Sequence, residues 1–514
     1  MPQEEQRECT GDRAADCRID LSVPLYCSDH LLIASNCGRI AFCHAREICC
    51  NSRIAVGTIL SMSDFRALAD RLARSLAEDL AAGRRKPGDR LPTSRDYAHG
   101  QGIAPSTASR VYAELVRRGV AVGEVGRGTF LRAPASLPRL PGREADRRGI
   151  VDLELNFCVL PDQGVLLAPG LARLASAEAL QPMLSRVAVA GDSAAREATA
   201  RLMARRDWAP VPESILFAGR GQQALSACFT ALIAPGESLG LEAMTYPLAK
   251  GIALRLGLKP VPLAMDDQGL RPDALAAAHA AHPLRLLYLQ PDLHNPLGAA
   301  MPASRRREVA ELCRALDILV VEDSVYGFLS ADAPPPVAAH APERAVVVDS
   351  LSKRVAPGMT LGFLSAPPAL RPRIASALRL GGWAAQGFAL AAGTLWMEDG
   401  TVEALVLAKR GEAIRRNALA RQILGDGGLV LRGDSRAYHL WLELPEPWRA
   451  ETFVAAAARR GIAVSPAAEF AAAPGHAPNA VRLALAAPEQ AALRPALETL
   501  LETALAGPDA GAVG

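Results

Sequence analysis

The sequence predicts two folded parts of different class: a small α+β module, then a large α/β domain on a mostly parallel sheet. Three observations lead there. Residues 62–132 carry three helical stretches followed by two short apolar runs joined at Gly126-Arg127-Gly128. Residues 133–150 are rich in Pro and charge, the composition of a semi-rigid linker. Beyond Val151, short apolar strands alternate with amphipathic helical stretches. A chain of 514 residues is long enough for two or three domains.

In the front module, Phe65, Leu68, Ala69, Leu72, Leu76 and Leu80 recur at helical spacing, with Asp64 placed as N-cap and Gly83 as stop. Lys86-Pro87-Gly88-Asp89-Arg90-Leu91-Pro92 is a turn cluster. Thr93 or Ser94 caps a second, short helix through Tyr97, which the Gly100–Gly102 region breaks. A third helix runs from Pro105 to Arg118, with proline in the tolerated first turn, and Gly119 ends it. Strands over 120–125 and 129–132 make a hairpin. Residues 62–132 hold 13 Lys/Arg against 8 Asp/Glu, in a chain whose net charge is only +3. Three helices and a hairpin on a basic segment fit a winged helix-turn-helix, and the partner such a module takes is double-stranded DNA. Ser106, Thr107 and Arg110 are placed on the third helix to enter the major groove. Arg95 is placed to reach a phosphate or base edge. Arg127 sits at the wing tip, where Gly126 and Gly128 let the backbone approach the duplex.

In the large part, strands are expected at Ser214–Phe217, Ser238–Leu241, Leu284–Leu289, Ile318–Glu322 and Ala345–Asp349. The chain turns helix-rich from about Leu370, with a small α+β lobe from Leu429 onward, and the domain is expected to span residues 151–508. Residues 1–61 read as a poorly ordered extension, or as sequence ahead of a true start at Met62. They hold seven of the ten cysteines; nothing else supports the oxidising compartment a disulfide framework needs, and no close C-x2-4-C pair marks a metal site, so neither is expected. No apolar run reaches the roughly 18 residues of a membrane span, and no export signal opens the chain; a cytoplasmic protein is expected.

Several residues of the large part together suggest a cofactor site. Lys353 follows an apolar strand in Asp349-Ser350-Leu351-Ser352-Lys353. Asp323 ends another strand, where open α/β sheets bind ligands, and Tyr326 lies three residues on. Asn295 sits in the turn His294-Asn295-Pro296-Leu297-Gly298. Gly219-Arg220-Gly221-Gln222 is a glycine-rich entry to a helix, suited to a phosphate. Tyr246 is placed to stack on a ring. A lysine, an acid, phenolate donors, a phosphate cradle and a stacking group are what pyridoxal 5'-phosphate (PLP) asks of a protein.

The front motifs, residues 87–96, 102–115 and 126–130, resemble the GntR family of winged helix-turn-helix regulators. That family usually has a hydroxyl residue where this chain has Ala104. From about Val151 to Leu505 the order of residues resembles the fold type I, aspartate-aminotransferase-like PLP enzymes. The resemblance implies that Lys353 holds PLP covalently and that Asp323 keeps the pyridine nitrogen protonated. It implies Asn295 and Tyr326 at the phenolate oxygen, Ser350 and Gly221-Gln222 at the phosphate, and Tyr246 stacked on the ring. Arg482 matches the arginine that holds a substrate's α-carboxylate. Those relatives usually carry an arginine where this chain has Thr360; Arg220, or else Arg354, is expected to replace it at the phosphate.

The two modules in one chain resemble the MocR-type transcriptional regulators. That implies a homodimer sensing an amino acid or amine. Two other readings stay open: an active aminotransferase with a vestigial front module, and a DNA-binding protein whose large domain is only a dimerisation scaffold.

Overall fold

The computed structural model describes residues 64–131, except 83, 87, 118, 119 and 125–127, and residues 149–508, except 474–476. The expected extension, most of the expected linker and Arg127 lie outside the described residues.

The front module has helices α1 (Asp64–Ala81), α2 (Ser94–Gln101) and α3 (Pro105–Arg117), then an antiparallel hairpin of β1 (Ala121–Glu124) and β2 (Gly128–Leu131). Its core gathers one face of α1 and one of α3: Leu68, Ala69 and Leu76, then Val111, Tyr112 and Leu115, closed by Leu131. Thr93 and Asp96 form a reciprocal capping box at the start of α2. Backbone bonds from Gly88 to Leu131 and from Leu91 to Thr129 tie the hairpin to the turn before α2. The second helix runs further than expected. Gly100 continues it, at the roughly 1 kcal/mol a helical glycine costs. The stop comes at Gly102, which takes the left-handed conformation at φ +63°.

Residues 215–365 contribute the large sheet. In chain order its strands are β4 (Ile215–Ala218), β5 (Ser238–Glu242) and β6 (Lys259–Leu263); then, after a small hairpin of β7 (Met265–Asp266) and β8 (Gly269–Leu270), β9 (Leu284–Leu289), β10 (Leu319–Asp323), β11 (Ala345–Ser350) and β12 (Gly362–Ser365). They lie side by side as β4-β12-β11-β10-β9-β5-β6. β12 is antiparallel to both its neighbours, and the other pairs are parallel. The stretch between β11 and β12 is too short for a parallel crossover, which needs a dozen residues or more. Leu287, Val320 and Val347 pack on one face of this sheet; Leu286, Val321, Val346 and Val348 pack on the other. Both faces are covered, so the strands read as continuous apolar runs.

The small lobe is a five-stranded sheet in the order β13-β14-β16-β15-β3. Its strands are β3 (Val151–Leu153), β13 (Val430–Arg432), β14 (His439–Glu443), β15 (Ile462–Pro466) and β16 (Ala480–Ala484). The lobe expected from Leu429 onward thus recruits the first strand behind the linker. β3 runs parallel to β15, and Leu153 is fully buried among Phe453, Val464 and Leu483. Among the described residues no helix is long and apolar enough to cross a membrane.

Candidate functional site

A cavity of about 70 Å3 opens where β10 and β11 end and the helix Gly221–Leu232 begins. Lys353, Asp323, Tyr326, Asn295, Tyr246, Ser350, Gly221 and Gln222 all line it. Residues separated by more than 130 positions converge because parallel strands deliver all their C-terminal ends to one edge of the sheet.

Lys353 stands on the single helical turn Leu351–Arg354 that follows β11. Its Nζ donates to the Asn156 carbonyl at 2.6 Å and lies 3.4 Å from the centre of the Phe157 ring. Burial, with Arg482 nearby, lowers the ammonium to about 7. A second buried lysine, Lys409, holds this turn from behind. It donates to the carbonyls of Cys158 (2.6 Å), Val355 (2.5 Å) and Lys353 (3.3 Å).

Asp323 ends β10. Its carboxylate accepts from Tyr288 Oη at 2.9 Å, Gln290 Nε2 at 3.0 Å and the Val325 amide at 3.2 Å. Burial nonetheless pushes it up to about 6. Tyr326 Oη accepts from Asn156 Nδ2 at 2.8 Å, and the same amide reaches His439 Nδ1 at 3.0 Å. His439 Nε2 lies 2.9 Å from the His294 carbonyl. Asn156 donates to both partners only if His439 is neutral with its proton on Nε2. Burial, which lowers His439 to about 3, supplies that state.

Arg482, on β16, does not line the cavity but abuts it. Its Nη1 donates to Asn295 Oδ1 at 3.1 Å, and its Nη2 bonds the Glu154 carbonyl and Ser465 Oγ. Its buried Nε has no acceptor among the described residues. At the opposite end, Gln222 Nε2 donates to Tyr246 Oη at 3.0 Å, and a side chain on Gly221 would begin 3.3 Å from Ser350 Oγ. Ser352 joins this end through a 2.5 Å hydroxyl contact with Thr360.

Arg220 and Arg354, the two replacements expected for the missing arginine, do not line the cavity. Arg220 is exposed at the head of its helix. Arg354 is paired with Asp349 at 2.5 Å. Among the described residues, the lining at this end is hydroxyl, amide and helix N-terminus, without a guanidinium.

These residues fit PLP: an amine with a lowered pKa, a carboxylate on the same cavity, phenolic and amide groups between them, and a glycine-opened helix N-terminus beside Ser350. Sequence reasoning missed Asn156, Phe157, Tyr288, Gln290, His439 and Lys409. None of them stands in the motifs that mark the site in sequence; tertiary structure brings them in.

On the front module, Arg95, Ser106 and Arg110 are exposed and Thr107 is half-buried. Gly128, at φ +122°, has a second reason to be glycine: a Cβ there would sit 2.9 Å from the Arg90 guanidinium. Ala104 offers its carbonyl to the first turn of α3, accepting from Thr107 and Ala108, but has no side-chain oxygen to cap it.

Comparison with known proteins agrees with both halves. Residues 163–500 match the family model for aminotransferase class I and II, and residues 68–131 match that for bacterial regulatory proteins of the gntR family. The chain is 28% identical over 421 residues to the HTH-type transcriptional regulator YdeF of Bacillus subtilis, covering 81% of this chain and 90% of that protein. It is 27% identical over 444 residues to the HTH-type transcriptional regulator TauR of Rhodobacter capsulatus, covering 79% and 90%. Among solved structures, the multiple substrate aminotransferase of Thermococcus profundus superposes with a TM-score of 0.64 at 21% identity, covering 72% of this chain and 97% of that one. The chain belongs to the aminotransferase class I and II family and carries a gntR-family winged helix-turn-helix in front of that domain, the make-up of the MocR-type transcriptional regulators.

Proposed function

We propose that this regulator uses its aminotransferase-like domain to sense an amino acid or amine through PLP held on Lys353. The observation that carries the reading is the pairing, in one cavity, of a lysine whose ammonium is lowered to about 7 with the buried carboxylate of Asp323. When bound, PLP supplies an aldehyde that an amine can capture reversibly and a ring that withdraws electrons. The chain's part is to hold and orient. Asp323 faces the pyridine nitrogen and keeps a proton there. Asn295 and Tyr326 position the phenolate oxygen, and Tyr246 covers the ring. Gly221, Gln222 and Ser350 receive the phosphate, with Arg220 as a more distant cation. Arg482 receives the carboxylate of an amino-acid effector, exchanging its bond to Asn295 for the incoming oxygens. Arg95, Ser106, Thr107, Arg110 and the wing residues Arg127 and Gly128 contact double-stranded DNA.

The effector regulates only if it binds one arrangement of the domains better than another. A cytoplasmic homodimer reading two half-sites completes the proposal. The test is a titration of the purified chain and its Lys353→Ala variant with PLP, followed by amines, read by visible absorption and by affinity for DNA upstream of neighbouring genes. The reading requires a visible cofactor band that Lys353→Ala loses, and an operator affinity that changes with the amine. A cofactor band with rapid turnover of amino acid and keto acid, and no specific DNA binding, would overturn it.

A further inference from the structure

Behind the cofactor cavity lies a second one, of about 90 Å3, lined by polar groups. That is several times the roughly 10–15 Å3 that admits one water. Arg205, Trp208, Ser324, Asp349, Arg354 and Arg410 are on its wall. They come from the end of the helix Ser193–Met203, the turn after β10, β11 itself, the helical turn Leu351–Arg354 and the long helix Thr401–Ala420.

The charges around this cavity do not balance. Among the described residues, three guanidiniums line it against one carboxylate, Asp349. Arg354 takes that carboxylate at 2.5 Å. Arg205 is held by Asp292 from outside the cavity at 2.7 Å, and Asp292 already serves Arg306 at 2.7 Å. Glu322, behind Arg306, is pushed up to about 7 by burial and is only partly ionised near neutral pH. Arg410 donates to the Phe328 carbonyl at 2.5 Å and meets no carboxylate among the described residues; desolvation and the neighbouring Arg354 both act against its charge. Arg354 is 6% exposed, and its Nε has no acceptor among the described residues. Gly327 lets these groups crowd together, because a Cβ there would overlap Arg205 and Asp292. A partly enclosed cationic excess of this kind is costly unless an anion completes it.

We infer that this second cavity is a binding site for a small oxyanion, held between Arg410, Arg354 and Arg205. Forked N–H donors on separate elements suit a carboxylate, sulfate or phosphate oxygen set better than a spherical halide. The site is also wired to the cofactor cavity. Asp349 lines both, accepting from Arg354 on one oxygen and from the Ser350 amide at 2.6 Å on the other. An anion that draws on Arg354 changes the load on Asp349, and so on the serine at the phosphate end. By linkage, the oxyanion and PLP then alter each other's affinity by one common factor.

The experiment uses the cofactor-loaded full chain, so that the phosphate end of the first cavity is filled. Melting temperature is followed as sulfate replaces chloride at constant ionic strength, with acetate as a second oxyanion, in the unaltered protein and in Arg410→Gln. The unaltered protein should show a saturable rise that the variant lacks. Crystals soaked in selenate should show anomalous density between the three arginines. PLP affinity should shift on the order of fivefold with sulfate in the unaltered protein alone. Equal, non-saturating responses in both proteins would mean only general salting effects and would overturn the proposal, as would selenate density elsewhere but not here. Failure of the PLP reading shows separately, as absence of the visible cofactor band, and leaves the position of the selenate density intact as a test.

Discussion

An amine is a nucleophile only in its uncharged form, and Lys353 is brought to that form by its surroundings rather than by a base. Burial in the enclosing cavity desolvates it, and Arg482 adds repulsion. The stability of the cofactor-free protein must carry this signature. Lys353 releases its proton at about 7 when folded and near its ordinary 10.5 when unfolded. Between those values the unfolded chain binds more protons, so stability rises with pH; below about 7 both states are protonated and the dependence vanishes. Lys353→Met should remove up to about 1.4 kcal/mol per pH unit of that slope. The part due to Lys409, lowered to about 8, should stay. Melts of the apoprotein across that window decide it. Thr360 sets a second expectation. With hydroxyls where a guanidinium is usual, the phosphate grip lacks a charge-assisted bond of roughly 1.5–3 kcal/mol. Thr360→Arg should lower the PLP dissociation constant about tenfold or more, measured by equilibrium titration of the visible band.

The elements that matter most are those whose ends meet at the cavity. The helix Gly221–Leu232 begins so close to β11 that only glycine leaves Ser350 undisturbed. Gly221→Ala should therefore weaken PLP binding several-fold at nearly unchanged melting temperature; equal losses in both would mean a folding defect instead. Such elements were legible in the sequence because their signals are local. Apolar runs marked β5, β9, β10 and β11, and glycines marked the phosphate turn. The pair β11–β12 hid its antiparallel sense, since apolar periodicity is blind to direction. Asn156, Gln290 and His439 were illegible for a related reason. Each acts through a partner far along the chain, and a hydrogen bond from Asn156 to Tyr326 leaves no trace in the residues beside either. Arg354, the second choice for the phosphate, stands next to Lys353 in sequence, but its carboxylate partner Asp349 turns it to the other side, and nothing local announces that pairing.

On the scale of the whole molecule, function requires the DNA-binding module and the cofactor domain to act on each other. The exposed guanidinium of Arg110 on α3 gives the first check. Arg110→Ala should cost about 1–3 kcal/mol of operator affinity if it reads a base. If it meets a phosphate instead, binding should weaken on all sequences and the salt dependence fall by about one counterion. Anisotropy titrations at several salt concentrations separate the two. PLP absorption should be unaffected in either case. One route between the halves is direct, the Arg449 guanidinium lying 5.2 Å from the centre of the wing residue Phe130's ring; another begins at β3. That strand, first after the linker, is hydrogen-bonded to β15, and β15 is bonded to β16, which carries Arg482. The tether of the DNA-binding head is thus moored to the same small sheet that holds Arg482, the residue proposed to receive an effector's carboxylate. Any tilt of that sheet when Arg482 takes a ligand is, mechanically, a pull on the mooring, so the head need not touch the cofactor to feel what is bound there.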